Sequence, residues 1–199
     1  MTGLKTIAVS LPIKQKSDQH DLSLKHQEWL KKNFQNVSSF TIELDDIFKT
    51  FEKTLSNFNN EHGMANSRAR LRMSTLYQVA AANKGIVVGT GNKVEDFGVG
   101  FYTKYGDGGV DISPIADCNK SEIWELGKEL NILKEIIDAP PTDGLWDDGR
   151  TDEGQLGLTY KELEEAMNNE NSINRDKYIK IRNANLHKMD PIPVCKIPK

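Results

Sequence analysis

The chain has 199 residues, a formal net charge of −3, 37% hydrophobic and 28% charged residues, the balance of a single soluble domain with a substantial core. No Lys/Arg block offers a footprint for a nucleic-acid backbone, and apolar runs such as Gly85–Val88 are far too short to span a bilayer. The opening MTGLKTIAVSLPIKQK lacks the apolar stretch of a secretory signal, and Cys118 and Cys195 stand apart without a CxxC or His partner, so free thiols in a reducing cytoplasm are expected.

In chain order, Thr6–Leu11 reads as a strand ended by Pro12, and Asp18–Asn33 as a helix with Leu22, Leu24, Trp29 and Leu30 on its apolar surface. Val37–Leu44 alternates well enough for a second strand. Ile47, Phe48, Phe51, Leu55 and Phe58 predict a helix over Asp45–Phe58, and Met64–Lys84 is the longest helical signal, stopped by Gly85. Ile86–Val88 predicts a short, fully apolar strand running into the turn Gly89-Thr90-Gly91-Asn92. Strands alternating with helices predict an α/β fold with parallel strands. Ligands of such sheets bind beyond the carboxyl ends of the strands, which puts the GTGN turn at the functional edge.

The second half is less regular. Val94–Gly109 is loop-like, with five glycines from Gly98 to Gly109. Ser121–Leu130 predicts a short helix. Residues 139–157, APPTDGLWDDGRTDEG and its flanks, read as one long loop of the kind that forms a mobile lid. Thr159-Tyr160-Lys161-Glu162 is a capping box opening a helix, and a last helix covers Ile173–His187 before a proline-rich tail.

Chemistry concentrates between Val87 and Glu122. Thr90 offers a hydroxyl, Glu95 a carboxylate, Lys104 a cation in a glycine-rich turn, and Asp107 and Asp111 two further acids. Lys120, just before a helix, is placed to meet an anion at that helix's N-terminus. One carboxylate with lysines and closely approaching backbone suits Mg²⁺-assisted nucleotide chemistry; a plain glycine-rich surface loop fits the same residues. Arg68 and Arg72 share one helix face while Arg70 points elsewhere, and a solvent-facing basic helix is the alternative to a ligand site. Asp147, Asp148, Asp152 and Glu153 fit no EF-hand spacing and read as an acidic lid. Trp124 and Trp146 read as packing residues.

The string GTGNKVEDFGVGFYTKYGDGGVDISPIAD resembles the signature region of the ammonia-dependent NAD synthetases. The resemblance continues through Lys120, the Ala139-Pro140-Pro141-Thr142 turn and DEGQLGLTYKELEEAM to His187-Lys188. It implies one domain over residues 1–199, with a Rossmann-like parallel sheet flanked by helices, as in the adenine nucleotide alpha-hydrolases. It also implies a ligase: ATP with Mg²⁺ adenylates the nicotinate carboxylate of deamido-NAD, and ammonia displaces AMP to give NAD. By resemblance Thr90, Lys120 and Thr142 contact ATP, and Glu95 is the magnesium ligand. Arg70, Lys104, Asp111, His187 and Lys188 bind deamido-NAD on the same grounds. A cytoplasmic homodimer is implied, and no glutaminase-like segment is present, so ammonia comes directly from solution.

Members of the family carry a Ser-Gly-Gly-x-Asp-Ser turn that wraps the ATP pyrophosphate and supplies a second magnesium contact. No such string occurs in the 199 residues, and Ser10 stands where many members have an ATP-reaching arginine, with Gln15 nearby. The expectation is an N-terminally truncated member. It is a piece of a longer protein, a split half that needs a P-loop-bearing partner, or a non-catalytic dinucleotide-binding module.

Overall fold

The structure is a computed structural model and describes residues 3–146 and 148–198; Asp147, read above as part of an acidic lid, lies outside the described residues. β1 (Thr6–Ser10) and β2 (Val37–Thr41) pair in parallel, Thr6 opposite Val37 through Ser10 opposite Thr41. Their crossover is α1 (Ser17–Asn33). β2 ends earlier than its alternation predicts, but Ile42 N still donates to Ser10 O at 2.9 Å. α1 meets the sheet through a polar residue: Gln27 is buried and its amide donates to Phe40 O at 3.2 Å and to the Ser10 hydroxyl at 2.6 Å, while Leu24, expected on the apolar surface, is exposed.

α2 (Asp45–Thr54) breaks before the predicted end, and Ser56–Phe58 form a separate 3-10 turn. α3 (Glu61–Ala82) starts earlier than its apolar pattern suggests because the Asn60 side chain accepts Gly63 N at 2.7 Å. Leu11, Ile13, Leu44 and Phe48 form one core, closed by Met64, Leu71 and Leu76 of α3. The Arg68–Arg72 face of α3 turns inward, not to solvent. Arg68 is buried with its guanidinium 5.5 Å from the Phe48 ring centre, and Arg72 Nε donates to Leu11 O at 2.9 Å.

The predicted strand at Ile86–Val88 is only a parallel bridge, Val88 with Ile112. Its hydrogen bonds run to one side: Asp111 N to Val87 O at 3.0 Å and Gly89 N to Ile112 O at 2.7 Å. No ladder joins it to β1 among the described residues; both segments line a cavity of about 1740 Å³. Among the described residues the sheet therefore has two strands. The architecture is nonetheless α/β, with a parallel sheet flanked by helices.

Part of the expected loop after Val94 is a π-helix, Lys93–Val99. The Asn92 side chain caps it, accepting Val94 N and Glu95 N at 3.0 and 3.1 Å, and Gly100 ends it in the left-handed region at φ 66°. A π-turn lacks the 3.6-residue repeat, so periodicity does not reveal it; such turns gather at functional sites. Then come α4 (Lys120–Glu129), α5 (Lys134–Ile137), α6 (Asp152–Leu156), α7 (Tyr160–Asn168) and α8 (Arg175–Met189). α6 falls within the segment read as one long loop, and the Thr159–Glu162 capping box opens α7 as its sequence predicts. Val94, Val99, Leu156, Leu158, Tyr160, Leu163, Ala166 and Tyr178 form the second core, with Trp124 packed against it. Trp146 stacks on His62, and both cysteines are free. The cavity lies between the two cores, touching Val9, Leu11 and Leu76 of the first and Phe101, Leu156 and Ile181 of the second.

Candidate functional site

Four of the five residues assigned to the dinucleotide meet on one wall of the cavity. Arg70, Lys104, His187 and Lys188 all line it, drawn from α3, the glycine-rich loop and the last turn of α8. They are linked through backbone. Arg70 Nε donates to Lys104 O at 3.2 Å, and Lys104 Nζ to His187 O at 2.5 Å. Lys188 Nζ donates to Gly100 O at 2.8 Å and Tyr102 O at 2.9 Å. Burial lowers the Lys188 pKa below the ordinary lysine value. Two lysines thus staple the loop to α8, while the exposed guanidinium of Arg70 and imidazole of His187 remain open to a ligand. Three cations on one wall suit phosphate.

The fifth residue stands apart. Asp111 is absent from the cavity wall; its carboxylate accepts Val87 N at 2.7 Å and the Tyr77 hydroxyl at 3.2 Å, pinning the strand-like segment before the GTGN turn. Thr90, in that turn, lines the cavity and is exposed. The backbone before the π-helix is held tightly: a Cβ on Gly91 would stand 2.0 Å from the Asp96 carboxylate. Burial and then the Glu95 charge push that Asp96 carboxyl up to about 6.

Glu95 and Lys120 form a second centre. Lys120 is the first residue of α4, and its ammonium reaches Glu95 Oε1 at 3.0 Å, with both side chains 18% exposed. Anion capture by the free end of α4 is already partly answered inside the protein, because Ser121 N donates to Glu164 Oε1 at 2.9 Å. The Tyr160 hydroxyl donates to the same Glu95 Oε1 at 2.5 Å and lies 3.1 Å from Asp152 Oδ2. The Lys120 ammonium sits 4.9 Å above the Tyr160 ring. Burial raises the tyrosine pKa, and the Glu95 charge adds to it, so the hydroxyl keeps its proton. Asp152 is 6% exposed, its carboxyl pushed up to about 6 by burial and then by Glu95. Thr142 joins this centre through the chain: its hydroxyl donates to Arg150 O at 3.0 Å, and Pro141 O accepts Asp152 N at 3.0 Å.

Sequence reasoning gave Tyr160 no role beyond the capping box and read Asp152 as part of an acidic lid; Asp152 is instead buried, its carboxylate 3.1 Å from the Tyr160 hydroxyl. The capping box fixes Tyr160 at the first position of α7, where it reads as a core aromatic, and nothing local links it to Glu95 across 65 residues.

A family model described as NAD synthase matches residues 2–193. The NH(3)-dependent NAD(+) synthetase of Carboxydothermus hydrogenoformans is 39% identical over 139 residues, 68% of this chain and 56% of that protein. The NH(3)-dependent NAD(+) synthetase of Alkaliphilus oremlandii is 43% identical over 148 residues, 73% of this chain and 58% of that protein. The matched part of the chain thus spans a little over half the length of these two relatives. Among solved structures, the NMN synthetase of Francisella tularensis superimposes with a TM-score of 0.88 at 32% identity, covering 98% of this chain and 81% of that one.

Proposed function

This chain belongs to the NAD synthase family, and on that premise we propose that it serves the ATP- and Mg²⁺-dependent amidation of deamido-NAD by ammonia. The observation that carries this reading is the pairing of two centres. One is a wall of Arg70, Lys104, His187 and Lys188 on the cavity; the other is the Glu95–Lys120 pair beyond the GTGN turn. The first suits a pyrophosphate-linked dinucleotide. The second suits the phosphates of ATP, since the Lys120 ammonium has donors left for a phosphoryl oxygen while it keeps Glu95.

The donor set fits magnesium. Among the described residues no three His, Cys, Asp or Glu side chains form a metal cage, and Mg²⁺ characteristically takes one or two carboxylates, water and substrate phosphates. Glu95 is the carboxylate that would hold it; when bound, the cation neutralises charge on the phosphates. In the reaction a carboxylate oxygen of the nicotinate bonds to the α-phosphorus of ATP, and the bond to pyrophosphate breaks. Ammonia then bonds to the acyl carbon, AMP leaves with the C–O electron pair, and one proton passes to solvent. Arg70 and Lys104 orient the dinucleotide so that its carboxylate faces the GTGN turn, and Lys120 stabilises charge on the transferring phosphate.

A second reading follows from the Francisella likeness: the same chemistry on nicotinate mononucleotide, giving NMN. Calorimetry on the 199-residue chain with deamido-NAD and with nicotinate mononucleotide separates the two by which binds tighter. Arg70→Ala should weaken the preferred ligand by about ten- to a hundredfold, the loss of a charge-assisted hydrogen bond. Unchanged affinity would remove the cationic wall from the site. NAD formation from ATP, ammonia and deamido-NAD establishes catalysis, whereas binding without turnover points to a dinucleotide-binding module or to a half that needs a P-loop-bearing partner.

A further inference from the structure

Three oxygens of the second centre cannot be satisfied by the protons that two ionised carboxylates and a phenol supply. The Tyr160 hydroxyl has one proton and lies within hydrogen-bond distance of both Glu95 Oε1 and Asp152 Oδ2. If it donates to Glu95, its oxygen meets Asp152 Oδ2 with no hydrogen between them unless Asp152 carries one. Glu95 is the ionised partner, because the Lys120 ammonium touches the same Oε1. Asp152 is 6% exposed, and among the described residues it has no salt bridge and its Oδ1 no hydrogen-bond partner. A buried carbonyl oxygen without a partner costs far less than a buried charge.

The geometry points to Tyr160 and Asp152 as positioning residues: a neutral Asp152 donates to the Tyr160 oxygen, Tyr160 donates to Glu95 Oε1, and Glu95 is thereby fixed beside Lys120. Oε1 is filled by Lys120 and Tyr160, and no hydrogen bond occupies Oε2 among the described residues. That oxygen is the one left for a cation. Burial and then the Glu95 charge raise the Asp152 pKa to about 6, so the neutral form dominates below pH 6. Asp152 also links the two ATP-facing segments, since its backbone N–H holds Pro141 O next to Thr142 while its side chain reaches Tyr160. Partners of this kind behind a metal-binding carboxylate orient it without touching substrate.

This inference rests on the reading of Glu95 and Lys120 as the MgATP centre, and its test separates the two. Calorimetric MgATP binding is measured at pH 5, where Asp152 is mainly neutral, for wild type, Glu95→Gln, Tyr160→Phe, Asp152→Ala and Asp152→Asn, with folding checked by circular dichroism. Tyr160→Phe and Asp152→Ala should weaken binding about ten- to a hundredfold. Asp152→Asn should rescue it to near wild type, because the amide still donates to the tyrosine oxygen. Asparagine as damaging as alanine would overturn the donor assignment, and a Tyr160→Phe protein binding like wild type would overturn the relay. The second measurement needs no ligand: the infrared stretch of a protonated carboxyl at pH 5, assigned by its loss in Asp152→Asn, should shift in Tyr160→Phe. If Glu95→Gln leaves MgATP binding intact, the MgATP reading fails while the infrared result still decides the relay. Absence of that protonated band in the wild type overturns it.

Discussion

Replacing Asp152 with asparagine should change how stability depends on pH, by an amount the structure lets us work out. The folded carboxyl titrates near 6 against an ordinary 3.8, raised by burial and by Glu95. A carboxyl whose folded pKa is raised binds its proton more tightly in the native state. Its contribution is therefore fully present below about pH 4 and is lost as pH climbs through about 6. The gap between those two values corresponds to about 3 kcal/mol over the whole range and about 1.4 kcal/mol between pH 5 and pH 8. Asp152→Asn cannot titrate, and Glu95, Lys120, Asp143 and Tyr160 remain in both proteins, so comparing the two isolates this residue. Urea unfolding at pH 5 and pH 8 should show the wild type losing about 1.4 kcal/mol more than the variant. An identical pH-driven change in both proteins would refute a neutral Asp152 and the proton count built on it.

Other expectations follow from single contacts. Gly100→Ala places a side chain at φ 66° with its Cβ 2.7 Å from Asn185 Cβ; thermal unfolding should report about 1–3 kcal/mol lost. Leu163→Ala empties a site at 0% exposure in the second core, and chemical denaturation should give about 2–5 kcal/mol of destabilisation. Asp111→Ala frees Val87 N–H and the Tyr77 hydroxyl, so a stability loss of about 1–2 kcal/mol should accompany any loss of ligand affinity. Unchanged stability would restore Asp111 to a purely ligand-facing role. Lys104→Met removes the tie to His187 O; it should weaken phosphate-bearing ligands and flatten the dependence of their affinity on salt, read by calorimetry at two ionic strengths.

The sequence by itself determined the local features whose causes are local. The run ended by Pro12 marked β1, alternation marked β2, apolar spacing marked α2, the long helical signal before Gly85 marked α3, and the Thr159-to-Glu162 spacing marked the start of α7, because propensity and capping act over a turn or two. The glycine-rich string also marked Glu95, Lys104 and Lys120 as residues worth following. Only the tertiary structure decided which of these meet. Asp111 turns its carboxylate to the Val87 N–H and the Tyr77 hydroxyl and does not itself line the cavity, whereas Arg70, Lys104, His187 and Lys188 converge on it from three segments. The π-helix at Lys93–Val99 carries no repeat for a sequence pattern to register. Arg68 and Arg72 point inward because Phe48 and the carbonyl of Leu11 accept them, partners that no spacing on α3 discloses. Tyr160 and Asp152 become part of the Glu95 centre for the same reason: a hydrogen bond across 65 residues depends on how two cores pack, and local pattern holds no information about that distance.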